Sequence, residues 1–341
     1  MTEVLAFAGI LLTLAFTVIN GFHDASNAVA LPVRFNALTP RVALWMGAVF
    51  NLVGALLVGI ALTDMITFEI PVPLNGVGTV ALICALLSAI GWDLLTWWWR
   101  MPSSSTAAIG GALVGSLLGA RAVGLFGGDL SLGPYLSWNV VAPLVVAPII
   151  AFVLAFLLVI PMVHLVKHQS PGRVGFRAGV VQATGAAAIH FGHGIQHARR
   201  TLWLLVLLMA GEGCSRDGIP VWLSLLVGLC LAFGTLLGGW RISYTLSSRV
   251  VSLDPLRGAI AQTVSGTLLF LGAFLSPIPL SSSQTSTAAI LGAGSAQKFR
   301  TVYHSTLVRV LGTWLLTVPV CAVVSAVLFL AVSPLIPAPA D

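Results

Sequence analysis

Three groups of polar residues interrupt a chain that is otherwise largely apolar, and they hold the side chains that could bind ions. The first group is the segment Asn20–Asn27, which lies between two apolar stretches. An ionised carboxylate within a bilayer costs about 2.5–3.5 kcal/mol on insertion scales, so we expect Asp24 to face a cavity or a cation. Asn27 would supply an oxygen ligand beside it. Gly21 predicts a local unwinding that breaks the helix here, with a helix end at the membrane interface as the alternative.

The second group is the segment His190–Arg200, which again separates two apolar stretches. In a continuous helix His190, His193 and His197 would share one face, a spacing that could hold a transition metal. Two glycines within the segment argue against a continuous helix, so we expect no metal here. We interpret the histidines as hydrogen-bonding groups of a polar cavity. One of them could exchange a proton, because the ordinary pKa of histidine is about 6.5.

The third group consists of two serine-rich starts of apolar elements. One start contains Ser103, Ser104, Ser105 and Thr106, and the other contains Ser281, Ser282, Ser283, Thr285, Ser286 and Thr287. The free N–H groups and the positive dipole end of a helix start, supplemented by hydroxyl donors, suit a tetrahedral oxyanion. Ordinary helix capping is the alternative for either copy. Two copies in corresponding positions favour an anion site.

These two starts belong to a longer internal repeat. The octapeptide Ser105–Ala112 recurs as Ser286–Ala293, with Gly110 against Leu291 as the single difference. Internal similarity of this kind indicates a repeat architecture. The chain therefore carries two related halves.

The composition identifies the solvent of these elements. The chain has 341 residues, of which 58% are hydrophobic and 8% charged, whereas a soluble domain carries about 25% charged residues. Apolar runs of about 20 residues, long enough to cross a bilayer, recur along the sequence. Glu3 is the only charged residue before the first run at Val4, so the basic segment of a cleaved leader is missing. We therefore expect a retained membrane helix. The basic residues that give a net charge of +6 are scattered, which excludes a nucleic-acid surface.

Apolar runs bounded by charge, Pro and Gly predict ten membrane elements. They lie near 4–22, 42–62, 77–99, 103–126, 138–164, 178–211, 219–240, 256–276, 282–297 and 303–333. Five elements per half is an odd number, which places the second half upside down, as in many secondary transporters. We therefore predict an all-α polytopic membrane protein with broken helices and serine-rich hairpins at the midplane. The first inverted repeat would be 1–165 and the second 166–341, together forming one transport domain.

Basic residues orient this arrangement, because Lys and Arg accumulate on the cytoplasmic side of a membrane. With the amino terminus external, the cytoplasmic side collects Arg34, Arg41, Arg100, Lys167, Arg173, Arg177, Arg241, Arg249, Arg257, Lys298 and Arg300. The other side collects Asp64, Glu69, Asp129, Glu212 and Asp217, with Arg121 and Arg216. Both termini are therefore predicted to be external.

The polar motifs resemble those of the inorganic phosphate transporter (PiT) family, of the bacterial low-affinity type. The family's first motif appears as GFHDASNAVA from Gly21 to Ala30, and its tryptophan helix and serine hairpin appear as WDLLTW followed by MPSSSTAAIGG. A later turn is matched by Gly234-Thr235 and by the segment Gly238–Arg241. The resemblance spans nearly the whole chain. It implies symport of inorganic phosphate across the cytoplasmic membrane.

The residues and the resemblance together imply two sets of ligands. The expected substrate ligands are Ser103, Ser104, Ser105, Thr106, Asn27, Ser282, Ser283, Thr285, Ser286 and Gln196. The expected coupling-ion residues are Asp24, Asn27, His197 and Gln262.

The second half departs from the family pattern at the coupling site. Members usually carry a His-Gly-Ala-Asn-Asp-Ala-Gln-Lys segment, where this chain has Gln196, His197 and Arg200 in place of Asn, Asp and Lys. Ala107 and Ala288 follow the serines where the family often has histidine. With one carboxylate lost and a titratable histidine gained, we expect coupling to H⁺, with Na⁺ as the alternative. We expect no other cofactor.

Three other functions are consistent with parts of the sequence. A sulfate or other oxyanion permease of the same fold would use the same serine-rich starts. A membrane-embedded histidine-metal protein or hydrolase would use the histidines, but the chain has no Gly-x-Ser-x-Gly or His-Glu-x-x-His motif, so we expect no enzyme. A passive channel explains the inverted halves less well than alternating access does. Inorganic phosphate and lipid are the expected partners, and a homodimer is left open.

Overall fold

The computed structural model describes residues 2–63, 66, 72–127, 142–209, 219–275, 280–296 and 302–336. In these ranges the chain forms the helices α1 (Thr2–Arg34), α2 (Pro40–Ala61), α3 (Gly76–Trp98), α4 (Ser105–Ala122), α5 (Ala142–Val166), α6 (Pro171–Met209), α7 (Val221–Leu237), α8 (Trp240–Tyr244), α9 (Pro255–Leu275), α10 (Ser282–Ser295) and α11 (His304–Val332). A π-helical turn, Thr245–Arg249, follows α8, and a 3₁₀ turn, Ser333–Leu335, follows α11. The all-α fold class is confirmed.

Six helices are long and apolar enough to cross a membrane, namely α1, α2, α3, α5, α9 and α11. The helix α7 and the segment 240–249 after it form a seventh candidate span with a bend of 54°. The remaining long helices, α4, α6 and α10, carry the serine-rich starts and the histidines. Each of the ten predicted elements corresponds to a helix, so the chain is a multi-pass membrane protein.

The predicted breaks in the first element of each half are wrong. The helices α1 and α6 run without interruption through their polar segments. Their glycines permit close helix packing instead of unwinding: a Cβ on Gly21 would lie 2.3 Å from the carbonyl oxygen of Leu231, and a Cβ on Gly194 would lie 2.4 Å from that of Asn51. Small residues at helix contacts are typical of membrane proteins. The bend lies instead after α7, at Gly238, whose φ is +73°.

The helix pairs follow the internal repeat. In the first half α1 packs on α3 and on α7, and in the second half α6 packs on α9 and on α2. Likewise α4 packs on α11, and α10 packs on α5. Each half is therefore completed by helices of the other half. The predicted boundary between residues 165 and 166 falls in the last turn of α5.

The two copies of the octapeptide do not start their helices at the same position. The helix α4 begins at the octapeptide itself, where the Ser104 hydroxyl accepts from the N–H of Ala107 at 3.2 Å. The helix α10 begins about one turn earlier, where the Ser281 hydroxyl accepts from the N–H of Gln284 at 3.3 Å. Capping therefore occurs at both starts, and Ser282 and Ser283 are helical whereas Ser103 and Ser104 precede their helix.

The predicted orientation stays a prediction. The charged residues Asp64, Glu69, Asp129, Glu212, Arg216, Asp217, Lys298 and Arg300, on which it partly rests, lie outside the described residues. Lys167, between α5 and α6, and Leu74, before α3, are both exposed and belong to connections on opposite predicted sides.

Single cysteines at these two positions, in a variant that lacks the four native cysteines, will report the orientation. Because basic residues are retained in the cytoplasm, Lys167→Cys should react with an impermeant maleimide only after the membrane is opened. Leu74→Cys should react in intact cells. The reverse labelling of the two variants would invert the orientation, and labelling of both from one side would contradict the span assignment.

Candidate functional site

The carboxylate of Asp24 is the centre of a buried polar cluster. It lies in α1, ten residues or about 15 Å from the Arg34 end of the helix, and the residue is 5% exposed. Its Oδ2 accepts from the Ser282 hydroxyl and its Oδ1 from the Ser283 hydroxyl, both at 3.0 Å. The start of α10 therefore lies beside the middle of α1, inside the helix bundle.

Three imidazoles also face Asp24. The Nδ1 of His23 lies 3.1 Å from Oδ1, and the Nε2 atoms of His193 and His197 lie 3.3 and 3.5 Å from Oδ2. The rings of His193 and His197 are neighbours on α6, with centroids 3.8 Å apart. The sequence shows no acidic residue near these histidines, but the fold brings one from α1. Asp24 and His197, two of the expected coupling-ion residues, are thus in contact.

A second network orients His193. Its Nδ1 lies 3.0 Å from Oδ1 of Asn51 on α2. The amide nitrogen of Asn51 donates to the Thr235 hydroxyl on α7 at 2.8 Å and lies 3.3 Å from Nδ1 of His190. These contacts fix the amide with its oxygen towards His193.

The buried guanidinium of Arg200 orients His197. It donates to the His197 Nδ1 at 2.6 Å and to the Thr106 hydroxyl of α4 at 2.5 Å. A guanidinium has no acceptor, so the Nδ1 of His197 must accept. Neutral His197 therefore carries its hydrogen on Nε2, which faces Asp24.

The hydrogen on Nε2 of His197 argues against a metal ion bound by this cluster. One ligand atom each of Asp24, His193 and His197 lie within 4.8 Å of one another, a separation that a metal ion could bridge. A metal at the Nε2 of His197 would need a lone pair there, and the bond from Arg200 keeps that nitrogen protonated. The hydrogen-bond pattern favours a proton over a metal among these groups. The expectation that the cluster holds no metal stays a prediction.

The start of α4 reaches the same cluster through His23. The Nε2 of His23 lies 3.3 Å from the hydroxyls of both Thr96 and Ser103, which are 2.8 Å from each other. On the other side, the amide of Asn27 donates to the hydroxyls of Ser283 at 3.0 Å and Ser282 at 3.4 Å. Both serine-rich starts therefore meet at the polar segment of α1.

A separate set of buried polar atoms, at these helix starts and in the polar segments of α1 and α6, makes no hydrogen bond within the described protein. It comprises Ser105 Oγ, Thr285 Oγ1, Ser286 Oγ, Asn27 Oδ1, Gln196 Oε1 and both amide atoms of Gln284. Buried polar groups are rarely left unpaired, because each costs about 1–3 kcal/mol. Atoms of this kind indicate where a polar ligand would bind.

The remaining predicted site residues have partners of their own. Ser104 caps α4, and Thr106 accepts from Arg200. The amide of Gln196 donates to the carbonyl of Leu269 at 3.2 Å, and that of Gln262 donates to the carbonyl of Ala28 at 2.6 Å. Gln262 thus ties α9 to the backbone of α1 just after the polar segment.

Sequence reasoning missed Asp93 as a site residue. Asp93 is fully buried in α3, and neither carboxylate oxygen makes a hydrogen bond among the described residues. His23, Ser105 and Arg200 are close enough to interact with its charge. A lone carboxylate inside an apolar span is a signal that could have identified it. Asn51 and Arg200 were also missed as site residues, and His193 was named only among the histidines of a polar cavity, because these roles depend on contacts between helices.

Comparisons with known proteins agree on one family. A family model described as "Phosphate transporter family" matches residues 20–178 and again residues 167–325. The "Probable low-affinity inorganic phosphate transporter" of Bacillus subtilis (strain 168) is 32% identical over 323 residues, 94% of this chain and 95% of that protein. The protein with the same description from Rhizobium meliloti (strain 1021) is 33% identical over 325 residues, with the same shares covered.

A solved structure shares the fold. It is titled "The sodium-dependent phosphate transporter", and it superimposes with a TM-score of 0.73 over 98% of this chain and 100% of that chain. The sequence identity is 20%, so this likeness concerns the fold alone.

Replacement of Ser283 by alanine will test whether the cluster stabilises the fold. Ser283→Ala removes a hydroxyl that donates to Asp24 and accepts from Asn27, so we expect a loss of about 1–3 kcal/mol in the free energy of unfolding. The matched control is Ser116→Ala, because the buried Ser116 hydroxyl donates only to the Leu113 carbonyl of its own helix. Thermal unfolding in detergent should separate the two variants. Equal melting temperatures would contradict the proposed contact.

Proposed function

Because the chain belongs to the phosphate transporter family, we propose that it carries inorganic phosphate across the cell membrane by symport with protons. Membership of a transporter family means that the chain is not an enzyme. The observation that supports the proposed site is the set of unpartnered buried donors at the starts of α4 and α10. The inverted arrangement of the two halves, with both termini external, is part of the same proposal.

The phosphate would bind between the two serine-rich starts. Ser105 lies in the first turn of α4, and Thr285 and Ser286 lie in the first turns of α10. Helix starts add N–H donors and positive dipole ends, which favour anions. Arg200 adds a buried positive charge at the first turn of α4, where its guanidinium touches Thr106. Ser103, Ser104, Asn27 and Gln196 would complete the walls.

Phosphate suits this site better than sulfate does. Near neutral pH phosphate still carries hydrogen and can donate a bond, whereas sulfate can only accept. The site contains acceptors without donors, namely the carboxylate of Asp93, the Oε1 of Gln196 and the Oδ1 of Asn27. A protonated phosphate could satisfy one of them, and a sulfate ion would be repelled by the carboxylate.

Protons suit the coupling site better than sodium does. Na⁺ is a hard cation that binds several oxygen ligands, whereas three imidazoles and the Ser282 and Ser283 hydroxyls surround Asp24. The guanidinium of Arg200 behind His197 would also oppose a second cation. Asp24 is thus the carboxylate around which we place the coupling proton. Sodium remains the alternative that the name of the structural relative supplies.

Loss of single unpartnered hydroxyls should weaken phosphate binding. Ser105→Ala and Thr285→Val each remove one donor to a charged ligand, which corresponds to a dissociation constant raised about 5- to 150-fold. Ser116→Ala is the control, because its hydroxyl is buried in the same helix as Ser105 but bonded to Leu113. Binding of labelled phosphate to purified protein measures the effect. Unchanged affinity in both variants would restrict these hydroxyls to a structural role.

The coupling ion can be identified in proteoliposomes. We expect counterflow of labelled phosphate that excess unlabelled phosphate supports and sulfate does not. Net uptake should follow an inwardly directed proton gradient at constant sodium, and a sodium gradient at constant pH should have no effect. Asp24→Asn should abolish the gradient-driven uptake. A strict sodium requirement would contradict proton coupling and leave phosphate transport intact, whereas counterflow with sulfate alone would contradict the substrate.

A further inference from the structure

We propose that the coupling proton is held between Oδ2 of Asp24 and Nε2 of His193, and that Asn51 is the positioning residue that directs it there. This inference rests on the proposed function, since it locates the proton of that symport. It also differs from the sequence-based expectation, which placed the coupling ion at Asp24, Asn27, His197 and Gln262.

The Thr235 hydroxyl donates to the carbonyl of Leu231 at 2.9 Å within its own helix. A hydroxyl has one hydrogen, so Thr235 must accept the bond from the amide nitrogen of Asn51. The oxygen of the Asn51 amide then faces Nδ1 of His193 at 3.0 Å. A carbonyl oxygen only accepts, so Nδ1 of His193 carries a hydrogen.

That assignment leaves Nε2 of His193 without a hydrogen when the ring is neutral. The atom opposite it, 3.3 Å away, is Oδ2 of Asp24, which is also an acceptor when the carboxyl is ionised. Two lone pairs would then face each other in a buried site, which is unfavourable. A single proton between these atoms converts the contact into a charge-assisted hydrogen bond. The cluster is therefore short of one hydrogen at this place.

The other imidazoles beside Asp24 are already satisfied when neutral. His197 accepts from Arg200 at Nδ1 and presents its hydrogen to Asp24 from Nε2. A further proton on its Nδ1 would break the Arg200 bond and place two positive charges together. His23 is satisfied when the Thr96 hydroxyl donates to Ser103 instead of to the carbonyls of Trp92 and Asp93. The Ser103 hydroxyl then donates to Nε2 of His23, whose Nδ1 donates to Oδ1 of Asp24. Neither ring needs the additional hydrogen.

The charged and titratable groups around the pair come from three helices. His23 lies beside Asp24 on α1, and Asp93 on α3 interacts with His23. His190, His197 and Arg200 lie on α6 with His193. The other helices that contact the pair contribute uncharged groups, Ser282 from α10 and Asn51 from α2. Among these contacts the Asp24–His193 pair is the place where two acceptors meet.

The proton on the Asp24–His193 pair changes the charge beside the proposed anion site. When the proton is present, the Asp24–His193 pair has no net charge, and when it is absent the pair carries one negative charge. The hydroxyls of Ser282 and Ser283, which begin α10, bond directly to this carboxylate. Phosphate at the start of α10 would therefore be favoured by the protonated pair and repelled by the deprotonated pair. Release of the proton would promote release of phosphate.

The proton can be observed directly by ¹⁵N solid-state NMR of histidine-labelled protein in bilayers. Signals would be assigned with His193→Gln and His197→Gln. We expect the Nδ1 of His193 to carry hydrogen throughout and its Nε2 to gain hydrogen as the pH falls, while His197 keeps a bare Nδ1. Protonation of the His197 Nδ1, or a His193 spectrum that stays constant while uptake depends on pH, would overturn the assignment.

Two variants of Asn51 should act in opposite directions. Asn51→Leu removes the acceptor at Nδ1, so the neutral ring can place its hydrogen on Nε2, and the pH midpoint of phosphate uptake should fall by about one unit. Asn51→Asp keeps the acceptor and adds negative charge, so the midpoint should rise. A purely structural role would lower uptake in both variants without shifting the midpoint. If His193 takes up the proton but uptake follows sodium alone, the coupling role is overturned together with the proton symport, and phosphate transport stands.

Discussion

A carboxylate in the middle of a membrane protein must be surrounded by donors, and the arrangement of this fold around Asp24 follows from that requirement. Asp24 is buried, so its carboxylate oxygens have to be satisfied by protein groups. The donors come from His23 on α1 itself, from His197 on α6 and from the start of α10. Further residues on α2, α3, α4 and α7 orient those donors. A single buried charge therefore involves helices from both halves of the chain.

Close helix packing makes this convergence sterically feasible. Gly21 on α1 meets Gly234 on α7, where a Cβ on Gly234 would lie 2.0 Å from the carbonyl oxygen of Val18. Gly194 on α6 meets Gly54 on α2 in the corresponding way. The two contacts lie within the polar segments of α1 and α6, so each segment packs closely on a helix of the other half while it remains helical. The same glycines that suggest flexibility in the sequence thus serve dense packing.

Satisfied and unsatisfied polar groups divide the cluster into two functional parts. Around Asp24 the serine, asparagine and histidine groups are connected to one another, so this part can hold a proton without a large rearrangement. At the starts of α4 and α10 the hydroxyls of Ser105, Thr285 and Ser286 are buried without partners. Ser282 and Ser283 lie next to Thr285 in α10 and bond to Asp24, so they join the two parts. The charge of the groups around Asp24 therefore affects anion binding at the unpartnered hydroxyls, which lie about one helical turn away.

The membrane class, the repeated halves, the positions of the polar segments and the family could all be predicted from the sequence. Those properties depend on run length, composition and local motifs, which the linear order contains. The continuity of α1 and α6 could not be predicted in this way, because the role of Gly21 depends on the carbonyl of Leu231 packed against it. The imidazole that lacks a hydrogen could not be predicted either, because the protonation of each ring follows from its partner, Asn51 for His193 and Arg200 for His197. Such partners lie on other helices, and their contacts arise only when the helices assemble.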